Sequence, residues 1–157
     1  MSQKIRVAVD AMGGDNSPKK IIDGIIDNSK NNNNVIYNIF GDKFLIEKFL
    51  PDNYNKNVFL ITNTKNKILD TDSPLSAAKK GKDTSMWMTI QSLKNNDSDI
   101  AISAGNTGAL FVIAKLVLKM IDNIDKPALS ALWPNKKNFN VVLDLGANME
   151  CNDKNLL

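Results

Sequence analysis

The sequence predicts an α/β fold in which helices cover both faces of a mostly parallel sheet. Three observations predict it: β-rich apolar runs alternate with segments of helical spacing, glycine-bearing turns follow strand ends and lead into helices, and the composition is that of a globular chain, 43% hydrophobic and 24% charged. A length of 157 residues permits one ordinary core. No linker or internal repeat divides the chain, which reads as a single domain over 1–157.

Taken in order, Ile5-Arg-Val-Ala-Val-Asp10 is a short strand pattern that ends in a glycine turn. Ser17-Pro18 then reads as an N-cap followed by proline at the first helical position, opening a helix to about Asn28. Ile21, Ile22, Ile25 and Ile26 make its apolar stripe, and the asparagines 31–34 end it. Val35–Phe40 is a second strand, stopped by Gly41-Asp42, and Lys43–Leu50 a short helix ended by Pro51. Val58–Thr62 is a third strand. Pro74–Lys80 and a segment after Asp83-Thr84-Ser85, carrying Met86, Met88, Ile90 and Leu93, are helices broken apart at Gly81. Asp99–Ser103 is a fourth strand, from which Ala104-Gly-Asn-Thr-Gly108 opens a helix over Ala109–Ile121, with Lys115 and Lys119 on one face. Ala128–Leu132 and Val141–Leu145 complete the strands, joined through Trp133-Pro134 and a polar stretch. Asp153–Leu157 has the look of a helix just starting, so the natural polypeptide is expected to continue.

Several function classes drop out. The net charge of +3 is scattered, with Arg6 the only arginine, which argues against a nucleic-acid surface. Without histidine, neither a His-based metal site nor a Ser–His–Asp triad can be assembled, and the lone Cys151 excludes an intrachain disulfide. Met1-Ser-Gln-Lys lacks the order of a signal peptide, so a cytoplasmic location is expected. The apolar run at 109–121 falls short of the ~18–20 residues of a membrane span.

Chemistry concentrates in three turns: Asp10-Ala-Met-Gly-Gly-Asp15, Ser103-Ala-Gly-Asn-Thr-Gly-Ala-Leu110 and Leu143-Asp-Leu-Gly-Ala-Asn148. Ligands of open α/β sheets bind at the carboxyl ends of strands, where a helix N-terminus favours an anion. Glycine is also the default turn residue, and Asp144 and Asn148 are equally suited to capping a strand end. Three such turns together point to a shared site. Neither G-x-G-x-x-G nor G-x-x-x-x-G-K-[ST] occurs, so the expected anion is phosphate or a phosphorylated intermediate rather than a dinucleotide.

In order and spacing, these three turns, Pro127-Ala-Leu129, and Ser73-Pro74 through Lys79 to Asp83-Thr-Ser-Met86 resemble the phosphate acyltransferases of bacterial phospholipid synthesis over essentially the whole chain. Two positions depart from that pattern: Ser17 where glycine is usual, and Lys79 where arginine is usual, a point charge in place of a bidentate fork. The resemblance implies a Rossmann-like α/β/α fold akin to isopropylmalate dehydrogenases and phosphotransacetylases, a homodimer and no redox cofactor; no residue is assigned to a metal. It also implies a chain about twice this long, whose second half holds membrane-contacting helices and much of the dimer surface.

The implied reaction is the first step of phosphatidic acid synthesis: inorganic phosphate attacks acyl-acyl-carrier-protein to give acyl phosphate, which passes to a membrane glycerol-phosphate acyltransferase. Phosphate is already ionised at pH 7, so no histidine is needed. On this reading the catalytic set is Asp10, Asp15, Asn106, Asp144 and Asn148. The phosphate and substrate contacts are Gly13, Gly14, Lys79, Lys82, Ser85, Ser103, Gly105, Thr107, Gly108 and Gly146. Asp10 and Asp15 would orient loop N–H groups or a lysine, or hold the leaving thiol's proton. Two alternatives stay open: a phosphotransacetylase-like activity on acyl-coenzyme A, and an inactive fragment or a binding module for acyl carrier protein, an acidic partner that a pI near 8.9 would suit.

Overall fold

The computed structural model describes residues 4–124 and 126–144, and the chain divides into two compact units between Leu118 and Lys119. The first unit contains a four-stranded, all-parallel sheet in the order β3-β2-β1-β4, formed by β1 (Ile5–Asp10), β2 (Val35–Gly41), β3 (Phe59–Asn63) and β4 (Ile100–Ser103). The first strand is therefore central. Its register places Val7 and Val9 beside Tyr37 and Ile39 on one side, and Asp10 beside Ser103 on the other.

Side chains alternate across a strand, so Val7, Val9, Tyr37 and Ile39 share one face. Helix α1 (Lys19–Asn31) covers it with Ile22 and Ile25, and α2 (Lys43–Glu47) adds Ile46. Ile22, Ile39 and Ile46 are completely buried, each worth roughly 1.5–3 kcal/mol of transfer free energy. Asp42 caps α2 by accepting a hydrogen bond from Leu45 N. The opposite face carries α4 (Ser85–Lys94), which contacts β1, β2 and β4. A second apolar cluster joins Ala77 of α3 (Pro74–Lys79), Met86 and Ile90 of α4, and the stripe Ala109, Ile113 and Val117 of α5 (Thr107–Leu118). Helices thus flank both faces of a parallel sheet, the predicted class.

At the amino ends of the strands, Arg6 donates to both carboxylate oxygens of Asp99 and to the carbonyl of Asn96. This bidentate pair holds the Asp99 carboxyl below the usual range, through the Arg6 side chain first and the Arg6 N–H second.

Four local expectations are corrected. Ser17 does not cap α1: its hydroxyl donates to the carbonyl of Met12, the Ser17–Pro18 bond is cis, and Pro18 holds the cap position without a side-chain bond. The short helix expected over Lys43–Leu50 ends at Glu47. Helix α5 starts at Thr107 and ends at Leu118, because Lys119 adopts φ +66°, which a right-handed helix cannot continue; Lys115 and Lys119 therefore do not share a helical face. Finally, Trp133 and Pro134 belong to a strand. In the second unit β5 (Ser130–Pro134) pairs antiparallel with β6 (Phe139–Leu143) as a sheet of their own. Asn135 makes their turn, its side-chain oxygen accepting from the N–H groups of Lys137 and Asn138. The expected helical start at 153–157 lies outside the described residues.

Candidate functional site

Two of the predicted turns meet at the carboxyl ends of β1 and β4. Ser103 Oγ donates to Asp10 Oδ2 at 2.8 Å, and Met12 N donates to Asp10 Oδ1 at 3.2 Å. Asp10 is 1% exposed, so these donors replace the water that a buried carboxylate would otherwise lose. Ser103 Oγ in turn accepts from Gly105 N at 3.2 Å, and one serine hydroxyl thereby ties both turns together.

The turns approach so closely that a side chain would not fit. A Cβ on Gly13 would lie 2.8 Å from both Asp10 Oδ2 and Gly105 N, and 3.0 Å from Ser103 Oγ. Gly14 holds φ +82°, and its Cβ would come within 2.7 Å of the Ala104 carbonyl. A Cβ on Gly105 would meet Met86 Cε at 2.9 Å, which places the start of α4 against the same turn.

That start is unusual. Ser85 is 1% exposed, its N–H donates to the carbonyl of Asn66, and its hydroxyl is buried without a hydrogen-bond partner. Thr84, the residue at the cap, directs its hydroxyl to the Gly81 carbonyl instead of to the helix. Asn66 is itself held by Asp83, whose carbonyl also accepts from Thr64 Oγ1.

Asn106 is fully engaged. Its Nδ2 donates to the carbonyls of Asp70 and Asp72, both at 3.0 Å, and its Oδ1 accepts from Ala109 N at 2.9 Å. It therefore caps α5 and ties that helix to the loop before α3. Asp72 is held in turn by Lys80 and by Leu69 N, which lower its carboxyl below the usual range, Lys80 being the larger cause. Gly108 of α5 lies close against Pro74 of α3, where a Cβ would sit 2.8 Å from the proline ring. Thr107 is exposed at the first position of α5.

The structure thus brings Asp10, Gly13, Gly14, Ser103 and Gly105 together, with Ser85 next in sequence to the methionine that touches them. Asp15 is exposed at the loop tip, and Lys79 and Lys82 are exposed on α3 and the loop after it. Asp144 lies in the second unit, at φ +52°, with its N–H donated to the carbonyl of Leu129. Gly146 and Asn148 lie outside the described residues. Sequence reasoning missed the supporting parts: Met12 and Met86, the Asn66–Asp83 latch, and the Asp70 and Asp72 carbonyls that take the Asn106 donors. Only Ser73-Pro74, a cap signature that does accept from Ser76 N, hinted that an ordered loop precedes α3.

Residues 5–157 match the family model described as fatty acid synthesis protein. Among curated proteins, the chain is 64% identical over 157 residues to the phosphate acyltransferase of Pelagibacter ubique (strain HTCC1062), covering all of this chain and 47% of that protein. It is 37% identical over 158 residues to the phosphate acyltransferase of Rhodospirillum rubrum, covering all of this chain and 45% of the relative. It is 40% identical over 149 residues to that of Rhodopseudomonas palustris (strain BisB5), covering 94% and 42%. The chain spans about half the length of the curated relatives it matches.

Proposed function

Since this chain belongs to the fatty acid synthesis protein family, in which its relatives are phosphate acyltransferases, we propose that it supplies the phosphate-binding half of an enzyme that makes acyl phosphate from acyl-acyl-carrier-protein. The observation that carries this reading is the interlock of Gly13 with Ser103 and Gly105 at the carboxyl ends of adjacent parallel strands. Such strand ends are where open α/β sheets bind ligands. Glycine turns that admit no Cβ let backbone approach an anion closely.

The chemistry asks little of side chains. Dianionic phosphate attacks the thioester carbonyl; a C–O bond forms, the C–S bond breaks, and the proton of the phosphate hydroxyl ends on the carrier thiol. Atoms and charge balance without a redox partner. The enzyme's work is positioning and stabilisation of the tetrahedral oxyanion. In this scheme the N–H groups of Thr107 and Gly108 receive phosphate, because the Asn106 side chain takes Ala109 N and the Asn106 carbonyl takes Leu110 N. The unpartnered Ser85 hydroxyl is a further donor. Lys79 and Lys82 compensate charge. Asp10 acts by holding Ser103 and Met12 N, a positioning role, and Asn106 positions the first turn of α5. Asp15 is exposed at the tip of the first glycine turn; family resemblance is what supports a part in the reaction for it and for Asp144, Gly146 and Asn148.

The same reading makes the enzyme a cytoplasmic homodimer that hands acyl phosphate to a membrane glycerol-phosphate acyltransferase; family resemblance supports this part. Among the described residues, no helix is long and apolar enough to cross a membrane. The test uses the natural full-length polypeptide with inorganic phosphate and either acyl-acyl-carrier-protein or acyl-coenzyme A, trapping the product as its hydroxamate. Preference for the carrier-protein donor is expected. Preference for the coenzyme A donor would assign a phosphotransacetylase-like activity instead, and no hydroxamate from either donor would overturn both.

A further inference from the structure

The loop that follows β3 closes a ring of contacts beside the glycine turns. Asn66 O accepts from Ser85 N at 3.0 Å, which ties the loop to the first residue of α4. Met86, next in sequence, lies against Gly105, where a Cβ on the glycine would meet its Cε at 2.9 Å. Asn106, the neighbour of Gly105, returns to the loop by donating from Nδ2 to the carbonyls of Asp70 and Asp72. Residues 66–72 complete the circuit. One short loop thereby holds the starts of both α4 and α5.

Ile68 lies midway along that loop and is 6% exposed. Its neighbours Lys65, Asn66, Lys67, Leu69 and Asp70 are exposed, as residues of connecting segments ordinarily are. Ile68 is instead buried in the apolar cluster that includes Met86 of α4 and Ala109, in the first turn of α5. Its β-branched side chain has few rotamers, so seating it in the cluster fixes the loop backbone as well. The ties on either side of it are hydrogen bonds, each worth little alone. The apolar anchor between them decides where the loop sits.

We infer that Ile68 is a positioning residue for the phosphate site. By seating the loop it fixes the two carbonyls that hold Asn106, and through Asn106 it sets the direction of the Thr107 and Gly108 N–H groups. Ile68 itself touches no substrate. The inference rests on the phosphate reading above, which places the anion at those N–H groups, and adds the side chain that holds them in place. Shifting such donors weakens an anion site without removing any contact to the anion.

The test compares Ile68→Ala and Ile68→Val with Ile113→Val in the natural full-length polypeptide. Ile113 is fully buried in the same cluster, but it lies six residues past Thr107, about 9 Å along α5 at 1.5 Å per residue. Ile68→Ala should raise KM for phosphate at least about fivefold and leave KM for the thioester donor unchanged. Amide exchange should quicken at Gly105, Ala109 and Leu110, whose N–H groups are bonded within the ring and the first turn of α5. Ile68→Val should show the same changes to a smaller degree. Ile113→Val, which deletes the same methyl group, should lower the thermal midpoint while phosphate KM and exchange at those three amides stay as in the parent. Phosphate KM that moves equally in the two valine variants, or in neither, overturns the inference, as does exchange confined to residues 64–72. If Ile68→Ala does not fold, the valine variants decide. Exchange requires no turnover. A parent enzyme that forms no acyl phosphate therefore defeats the reaction reading alone, while the exchange pattern decides whether Ile68 holds the turn.

Discussion

Ser103 Oγ donates to Asp10 Oδ2 across 2.8 Å and 93 residues of chain, joining the carboxyl ends of two neighbouring parallel strands. Ser103→Ala removes that donor and also the acceptor of Gly105 N, leaving a buried carboxylate with Met12 N as its remaining partner. The expected loss of stability is about 1–3 kcal/mol, read from the urea midpoint. Ser103→Thr, which keeps the hydroxyl, should recover most of it. Equal loss in both variants would show that packing rather than the hydrogen bond matters.

Gly13 and Gly24 make a matched pair. Gly13→Ala would drive a methyl onto Asp10 Oδ2 and the backbone N of Gly105, so the turns must separate. Turnover should fall by at least about tenfold and stability by roughly 1–3 kcal/mol. Gly24→Ala, on the exposed side of α1 with nothing within 4 Å, should instead stabilise the chain by about 0.5–1 kcal/mol. Thermal denaturation of the two variants checks both signs.

Asn106→Ala should cost about 1–2 kcal/mol, because it removes the α5 cap and frees the loop at Asp70 and Asp72. Faster hydrogen exchange should appear at residues 66–73 and in the first turn of α5. Exchange confined to α5 would mean that the loop is held by other contacts.

Acid should loosen the same loop. The folded pKa of Asp72 lies below its ordinary value, with Lys80 the main cause and Leu69 N the second. A depressed carboxylate pKa stabilises the fold above the unfolded value, about 3.9, and that contribution disappears as pH falls through the lower folded value. Asp72→Asn should therefore be less stable than the parent at pH 6 and converge with it as pH falls through the lowered folded value. Urea midpoints across that range are the measurement, and a pH-independent gap would contradict the assignment.

Much of the first unit was legible because its signals are local. The apolar runs of β1 to β4 and the isoleucine stripe of α1 depend on period alone. The Ser73-Pro74 start of α3 rests on residue type at the cap, which is local as well. What escaped was set by partners distant in sequence. Ser17 is a good cap by type, yet the Met12 carbonyl claims its hydroxyl. Asn106 has the donors of a ligand contact, but the carbonyls of Asp70 and Asp72 use them, and nothing near Asn106 in sequence announces that loop. In sequence Trp133-Pro134 reads as part of the connection between two strands, although proline is tolerated at the edge and end of a two-stranded sheet. The grouping of Asp10, Gly13, Ser103 and Gly105 was legible as a consequence of topology: turns that follow neighbouring parallel strands must emerge side by side.

The central position of the first strand bears on how the chain is made. β1 acquires β2 soon after it leaves the ribosome, but its other edge waits for β4, whose Ser103 lies 93 residues after Asp10. At 5–20 residues per second this is roughly 5–19 seconds of synthesis. During that interval a nascent chain presents an unpaired apolar edge at its core, an open template for another strand. Yield in the cell should therefore respond to translation speed between residues 41 and 103 and to chaperone supply, independently of how stable the finished fold is.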